Sequence, residues 1–564
     1  LLYFSSLTDD NDRIRRIDGR FFRSLEELTD LYIENLGIEE IEANAFDNLT
    51  SLNYLELSRN SIRVLRGFTF QHLSRLSFLS LANSNIETIE SDAFNGLASL
   101  EALRLEYNRF GIIRRHMFQT LSNLTYLNLS HAGLEIIETN AFEAQSNLQF
   151  FSLSHNNLKI IPSDVFLSLT SLIFVDLTNS KIASLESFDL TSFASNLQTL
   201  NVAQVNMKLD QIEIFKLAPI NLEYLDLSYS LTKMASCSFN FVGLSRLKSL
   251  KLNYNNIQRL ERKAFASLEK LVRLSIVGSK IESIDSLAFY GLENLDYLDM
   301  SLNSISIIWN NTFESLTKLE RLILKDANIE ILESDALYGL VSLVYLNLDQ
   351  DRVRVIRSFS FRSLSKLFQL EISDAGIEII EANAFAGLDS LVYLYMNNNR
   401  MRTIENFTFQ GLVKLELLRL INCSIETIEA NAFAGLAKLF TLNLNYNKIK
   451  SLHPTHFDEL VRLTHLYLFS NTFGSMSQKI FRSLKQLIYL FLSHSNIESI
   501  ELQTFHGLEE VEFLYLARNK LKTIQNETFR ESKYLIELDL SYNSIEIIEA
   551  LAFSWFDKLI MLNL

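Results

Sequence analysis

The sequence predicts one α/β solenoid, assembled from about 22 complete copies of a unit of about 24 residues. Two observations lead to this fold class. One apolar pattern, LxxLxLxx(N)xIxxIxxxAFxxLxx, recurs along nearly the whole chain. In addition, only 3 prolines and 16 glycines occur among 564 residues, which leaves little material for linkers or disordered tails. A repeat of this length is typical of folds in which each unit contacts only its neighbours, so chain length does not count domains.

Each position of the unit has a predicted structural role. The segment LxxLxL alternates, so it predicts a short strand with leucines inside, as in Leu52, Leu55 and Leu57. Asn60 then suits a tight turn, because its amide can bond backbone groups that have lost ladder partners. The return leg is expected to consist of short turns or helical pieces. Its interior phenylalanines should stack as a column, in which Leu337 substitutes once: Phe46, Phe70, Phe94, Phe118, Phe142 and Phe166. We therefore predict a curved right-handed coil with a parallel sheet on its concave face.

The repeat rhythm also divides the chain. Residues 1–27 form a degenerate N-terminal repeat, residues 28–558 the solenoid, and residues 559–564 the start of a truncated repeat. Irregular units of 25 residues occupy 172–246, and a second irregularity lies near Phe473. Either drift of the pattern or a change of curvature explains the first break. Because the last residues stop inside a repeat, we expect a fragment, with any caps, signal peptide or membrane anchor outside it.

A second rhythm spans two repeats. Asparagine at the turn alternates with a small residue, as in Asn60, Ser84, Asn108 and Ala132. Charge alternates in the same phase one residue after the first Ile, at Arg15, Glu39, Arg63 and Glu87, and later at Glu330, Arg354, Glu378, Arg402, Glu426 and Lys450. Stacked repeats place such residues about 5 Å apart, where opposite charges attract. We interpret the row as a ladder that maintains register after duplication of a two-repeat unit; a solvated face of mixed charge is the alternative.

The repeat unit resembles a known family. Its phrase Ala93-Phe94-Asn95-Gly96-Leu97 is similar to the typical leucine-rich repeats of extracellular animal proteins, such as Toll-type receptors, Slit-like guidance proteins and chaoptin. The resemblance covers essentially the whole chain. It implies recognition or adhesion outside the cell, with no enzymatic site and no cofactor. The sequence departs from the family in lacking cysteine-rich caps.

Composition and motifs exclude several function classes. A net charge of −15 disfavours nucleic-acid or anionic-membrane partners, which need clustered positive charge. Cys237 and Cys423 lie too many repeats apart for one disulfide, so both are expected to be buried free thiols. No catalytic motif or small-molecule substrate site is visible, and His453 and His456 lack a third ligand for a metal. His131 and His155 should be neighbours one repeat apart.

The residues between strand leucines are the best candidates for a binding surface. Toward the C-terminal end these outward residues become aromatic, and we predict a protein-binding site at Tyr395, Tyr467, Phe469, Phe491 and Tyr515. The alternative is that these rings pack on one another and close off the sheet. A second aromatic row, which includes Tyr54, Phe78 and Tyr126, is expected mainly to shield the sheet margin.

Three sequons share one repeat position on the outer flank, and we expect N-linked glycans there: Asn310, Asn406 and Asn526. The sequence as a whole favours an extracellular protein, secreted or on the cell surface, that binds a protein partner or mediates cell adhesion. A self-assembling structural matrix or filament protein is the alternative. An enzyme or a cytosolic scaffold ranks third.

Overall fold

A computed structural model describes residues 2–3, 14–182, 195–205, 221–231 and 241–564. Cys237 and most of the irregular segment between 183 and 240 lie outside these residues. The chain divides into two units. The first comprises Leu1–Ile257 and Ala264–Ser279, and the second comprises Gln258–Lys263 and Lys280–Leu564.

The first unit is a stack of coils, each of which contributes one short strand to a parallel sheet. Twelve such strands lie in its described residues: Leu2–Tyr3, Asp30–Tyr32, Tyr54–Glu56, Phe78–Ser80, Ala102–Arg104, Tyr126–Asn128, Phe150–Ser152, Phe174–Asp176, Thr199–Asn201, Tyr224–Asp226, Ser249–Lys251 and Arg273–Ser275. Equivalent positions of successive repeats are paired, for example Leu55 with Leu79. The period-two pattern therefore sends every strand leucine to the same side of the sheet.

The second unit repeats the same plan. Its described strands are Tyr297–Asp299, Arg321–Ile323, Tyr345–Asn347, Gln369–Glu371, Tyr393–Tyr395, Leu417–Arg419, Thr441–Asn443, His465–Tyr467, Tyr489–Phe491, Phe513–Tyr515, Glu537–Asp539 and Met561–Asn563. They also pair in parallel and without a shift in register, as Leu466 with Leu490 shows. Each unit is thus a solenoid of stacked repeats, as the sequence predicts.

The core of each unit is made of columns of identical side chains. The central leucines of the strands from Leu31 to Leu538 are buried, and so is the predicted phenylalanine column. Neighbouring rings of this column lie 5.6 to 6.3 Å apart between centroids. In the first unit these contacts run from Phe22 to Phe70 and from Phe94 to Phe142. In the second unit they join Phe289 to Phe313 and run from Phe361 to Phe553. Leu337 replaces one ring and remains buried. Because no repeat covers its own column, stacking supplies the burial.

The turn asparagines link each repeat to the one before it. Asn156 Oδ1 accepts hydrogen bonds from the backbone N–H groups of Ala132 (3.0 Å) and Leu134 (2.9 Å). Its Nδ2 donates to the carbonyl oxygens of Leu129 (2.9 Å) and Leu153 (2.8 Å). A turn with alanine at this position is therefore satisfied by the asparagine of the following repeat. Where the small residue is Ser84, its hydroxyl donates to Leu57 O (3.1 Å).

The return legs consist of turns and two-residue strands, and no α-helix occurs in the described residues. The short strands pair two by two. In the first unit the pairs are Arg16–Ile17 with Glu40–Ile41, Val64–Leu65 with Thr88–Ile89, and Ile112–Ile113 with Ile136–Ile137. In the second unit they are Arg259–Leu260 with Ser283–Ile284, Ile307–Ile308 with Ile331–Leu332, Val355–Ile356 with Ile379–Ile380, Thr403–Ile404 with Thr427–Ile428, Ser475–Met476 with Ser499–Ile500, and Thr523–Ile524 with Ile547–Ile548. The two-repeat rhythm of the sequence is therefore present in the backbone.

Clefts open between successive pairs of these short strands. Three of them have volumes of about 520 to 690 Å³. The alternating charges line them, with Glu39 and Arg63 in one cleft. Within the predicted charge row, the described residues form ion pairs at Arg15–Glu39 (3.8 Å) and Glu426–Lys450 (2.7 Å). Both pairs are accessible to solvent, which screens them, so they contribute little to stability.

Candidate binding surface

Three adjacent strands of the second unit carry a continuous set of aromatic side chains. The strands are His465–Tyr467, Tyr489–Phe491 and Phe513–Tyr515, paired in register. Their outward side chains form two parallel stacks, which together we call the aromatic surface: Tyr467–Phe491–Tyr515, with centroids 4.7 and 4.7 Å apart, and His465–Tyr489–Phe513, with centroids 4.6 and 4.6 Å apart.

Stacking determines which part of each ring a partner can reach. Neighbouring planes are nearly parallel, with angles of 4° to 17°. The rings therefore cover one another's faces, and all six side chains remain half-buried rather than sealed. Their accessible parts are ring edges, which carry partial positive charge, and the tyrosine hydroxyls. Mutual packing and accessibility thus coexist on this surface.

In other repeats, polar side chains at the positions of Tyr467, Phe491 and Tyr515 form hydrogen bonds with the backbone. Asp176, Asp226 and Asn443 each accept a hydrogen bond from the N–H group two residues later, at 2.9 to 3.0 Å. The side chain of Phe491 has no acceptor for such a bond. These polar side chains therefore supply hydrogen-bond acceptors to backbone N–H groups at the ends of the strands. The sequence pattern predicts only a contact surface for these positions. The rings at the same positions are not explained by the backbone role.

The structure separates two of the predicted residues from the stacks. Phe469 lies at the turn, where its ring meets Tyr446 and His494 edge-on, with centroids 5.2 and 5.1 Å away. Tyr395 lies on a strand separated from His465–Tyr467 by two others, a distance of roughly 14 Å at the usual strand spacing. Arg419 covers the Tyr395 ring, with its guanidinium 5.4 Å from the centroid.

The stack His465–Tyr489–Phe513 was not among the predicted site residues. These residues hold the same strand position as Tyr54 and Phe78, which were assigned to shielding of the sheet margin. That row does stack in the first unit, where Tyr54 and Phe78 have centroids 4.3 Å apart. The signal for these missed residues is in the sequence, because these are three successive repeats in which both outward strand positions carry a ring.

Charge is distributed unevenly around the aromatic surface. On one side the strand Glu537–Asp539 places Glu537 beside Phe513 and Asp539 beside Tyr515. On the other side Thr441 and Asn443 are neutral neighbours of His465 and Tyr467. Burial, reinforced by Glu537, raises the pKa of Tyr515. The surface is therefore acidic along one edge only.

The three predicted glycan sites lie at exposed turns of the second unit. Asn310, Asn406 and Asn526 are all exposed. The side-chain Oδ1 of Asn310 accepts from Asp335 N (2.9 Å), and Oδ1 of Asn406 accepts from Asn431 N (3.0 Å). These bonds use the amide oxygen and not the amide nitrogen, the atom to which an N-linked glycan is attached.

The histidines show no metal-binding arrangement in the described part of the chain, where no group of three or more suitable side chains converges. His456 is buried, and burial lowers its pKa to about 4, so it is neutral at physiological pH. His131 and His155 are neighbours, as predicted, with stacked rings 4.2 Å apart. The described residues also contain no helix with the length and hydropathy of a membrane span.

Parallel coils with inward leucines, a turn asparagine and a phenylalanine column define the class of leucine-rich-repeat solenoids. The family model for the leucine rich repeat matches residues 6–62, 26–84, 50–110, 75–134, 105–158, 122–182, 394–449, 413–473, 470–521 and 514–564. A model for the BspA type leucine rich repeat region matches residues 177–296, 241–367 and 282–416. The chain belongs to the leucine-rich-repeat family. No curated protein sequence matches it.

Solved structures with the same fold include two receptors. The Drosophila Toll–Spatzle complex in its glycosylated form has a TM-score of 0.64 and 16% identity, and the match covers 96% of this chain and 68% of that one. A TDR receptor has a TM-score of 0.55 and 18% identity, with 95% of this chain and 93% of that chain covered. At these identities the likeness concerns the fold.

Proposed function

We propose that this chain is the ligand-binding part of an extracellular receptor or adhesion protein, and that the aromatic surface binds a protein partner. The observation that carries the proposal is the replacement of backbone-satisfying polar residues by accessible rings on three consecutive strands. Tyrosine and phenylalanine are frequent anchors of protein interfaces, where their burial provides most of the binding free energy. The face concerned is the one that the sequence predicts to be concave.

The wider setting supports the same proposal. The fold is shared with solved receptors, and one of them, Toll, was solved bound to Spatzle. The proposed activity is recognition without catalysis, and it requires no cofactor. The acidic edge formed by Glu537 and Asp539 favours a partner that is basic beside its apolar contact.

The test compares two triple variants that each remove three stacked rings. The first, Tyr467→Ala with Phe491→Ala and Tyr515→Ala, removes one stack of the aromatic surface. The matched control, Tyr126→Ala with Phe150→Ala and Phe174→Ala, removes a stack from the first unit, whose rings are 4.3 and 4.5 Å apart.

Binding is measured against a panel of secreted and cell-surface ectodomains from the same organism, displayed as purified proteins. We expect the aromatic-surface variant to weaken a specific interaction by at least about 30-fold, the typical effect of losing interface hot spots. The control variant should bind as wild type does. Equal binding by wild type and the aromatic-surface variant would refute the proposed site.

The proposed compartment and oligomeric state have separate tests. Intact-mass measurement of protein secreted from animal cells should show added mass that an N-glycosidase removes and that Asn310→Gln, Asn406→Gln and Asn526→Gln abolish. An unmodified mass would contradict glycosylation. Sedimentation at physiological salt should give a monomer, whereas polymers at low concentration would favour the alternative of a structural matrix protein.

A further inference from the structure

A groove of about 400 Å³ lies in the first unit, where it is lined by residues between Glu34 and Tyr107. In the sequence, these residues are far from those of the aromatic surface. We call it the Glu106 groove, and it is lined by Glu34, Glu56, Ser80, Arg104, Glu106 and Tyr107, among others. It lies over the strands Tyr54–Glu56, Phe78–Ser80 and Ala102–Arg104, which are paired in register.

A buried carboxylate forms part of the groove wall. Glu106 is only 3% exposed. Its Oε1 accepts hydrogen bonds from Arg104 Nε (2.8 Å) and Arg104 Nη2. In contrast, Oε2 has no hydrogen-bond partner in the described part of the chain, and the same holds for the buried hydroxyl of Ser80. A buried polar atom without a partner is costly. Because Glu106 and Ser80 both line the groove, a donor that entered it would relieve this cost.

The charges around the groove favour a cation. Glu34, Glu56 and Glu106 are opposed by Arg59 and Arg104. Arg104 and Glu106 neutralise one another, which leaves Glu34 and Glu56 against Arg59. One oxygen of Glu56 accepts from Ser58 N (2.9 Å). The pKa of Tyr54, beside the groove, is raised to about 12 by burial and then by Glu56, which is consistent with a negative local potential.

Tyr107 adds an aromatic face to this carboxylate. One face of the ring is covered by His131 in the following repeat, with centroids 4.5 Å apart and planes at 10°. The other face is therefore directed to the preceding repeat and the groove, and the side chain is 56% exposed. Tyr107 holds a left-handed backbone conformation (φ 59°), as Asn83 does at the equivalent position (φ 51°). Since asparagine adopts this conformation more readily, the turn does not require a tyrosine.

We propose that the Glu106 groove binds an organic cation, the guanidinium or ammonium group of a partner's basic side chain. The N–H donors would bond Glu106 Oε2, and the positive charge would lie over the free face of Tyr107 in a cation–π contact. The groove is a second recognition site, which does not depend on the aromatic surface.

The test is titration with acetyl-arginine amide, monitored by NMR or calorimetry, beside its uncharged citrulline analogue. Wild-type protein should bind the arginine compound and not the citrulline compound. Glu106→Gln and Tyr107→Ala should each weaken binding, the former by about tenfold, as expected for loss of a charge-assisted hydrogen bond. Glu135→Gln, at an exposed carboxylate outside the groove, should bind as wild type does.

Thermal unfolding of each variant checks that the fold is retained. If Glu106→Gln unfolds, Glu34→Gln, which changes a half-buried carboxylate at the groove, replaces it, and a loss of affinity is again expected. Equal affinity for the arginine and citrulline compounds would overturn the proposal. So would full affinity in the groove variants.

Discussion

Asp351 occupies the place of a turn asparagine and should make its repeat sensitive to pH. Its Oδ1 accepts from Ile329 N (3.0 Å), as Asn399 Oδ1 accepts from Ile377 N (2.9 Å). Asn399 Nδ2 also donates to two carbonyl oxygens, those of Ile372 and Met396. Asp351 has Oδ2 at that position, buried and without a partner in the described residues. An ionised carboxylate there would face carbonyl oxygens and could donate nothing.

Burial raises the pKa of Asp351 to about 8, from an ordinary value of 3.8. Between these values the folded state holds a proton that the unfolded state has lost. The contribution of Asp351 to the free energy of unfolding is therefore fully present below about pH 4 and is lost as the pH rises to about 8. The loss is about 1.4 kcal/mol per pH unit, which amounts to about 4 kcal/mol at pH 7.

Asp351→Asn removes this titration and restores the missing amide donor. We expect stabilisation on the order of 3 kcal/mol or more at pH 7, and little change near pH 4. Because repeat arrays open locally, the measurement is hydrogen exchange across residues 324–375, corrected for the intrinsic effect of pH. Asp349 remains in this variant, and burial raises its pKa to about 6. A smaller dependence of stability on pH should therefore persist below pH 6.

The reciprocal variant, Asn399→Asp, is the control. It should create the same pH dependence two repeats further along the chain, by placing an acid at a buried amide position. The reasoning is refuted if Asp351→Asn protects the repeat equally at pH 4 and pH 8, or if it destabilises the repeat at neutral pH.

Two further predictions concern Cys423 and two equivalent glycines. Cys423 is fully buried, and burial raises the pKa of its thiol to about 12, so a thiol reagent at pH 8 should modify it only on unfolding; rapid modification of native protein, followed by intact mass, would contradict this. Gly387→Ala should lower the free energy of unfolding by about 2–4 kcal/mol, since φ is +95° and a Cβ would lie 2.6 Å from Arg362 Cα. Gly435 has a similar φ of +91°, but the nearest atom to its Cβ would be 3.9 Å away, so Gly435→Ala should cost about 1 kcal/mol. Equal melting temperatures for these two variants would show that the close contact carries no cost.

The Gly387 and Gly435 pair shows where sequence reasoning ends. The two glycines hold the same place in two copies of one octapeptide, Glu381–Leu388 and Glu429–Leu436, so this local sequence cannot distinguish them. Their surroundings differ because the preceding repeat approaches one glycine and not the other. Similarly, the sequence predicts outward aromatic residues at Tyr395, Tyr467, Phe491 and Tyr515, but only strand pairing shows that the last three form one stack and that Arg419 covers the first.

The sequence by itself determined the repeat, the inward leucines, the phenylalanine column and the turn asparagines. It could do so because those features depend on one period and on contacts that every repeat makes with its neighbours. The tertiary structure alone decided that the return legs pair two by two. It also decided that Glu106 and Asp351 each have a buried oxygen without a partner, and that one ring face of Tyr107 is left open. These depend on which atoms of one coil meet those of the next, and side-chain geometry in three dimensions, not spacing along the chain, sets those contacts.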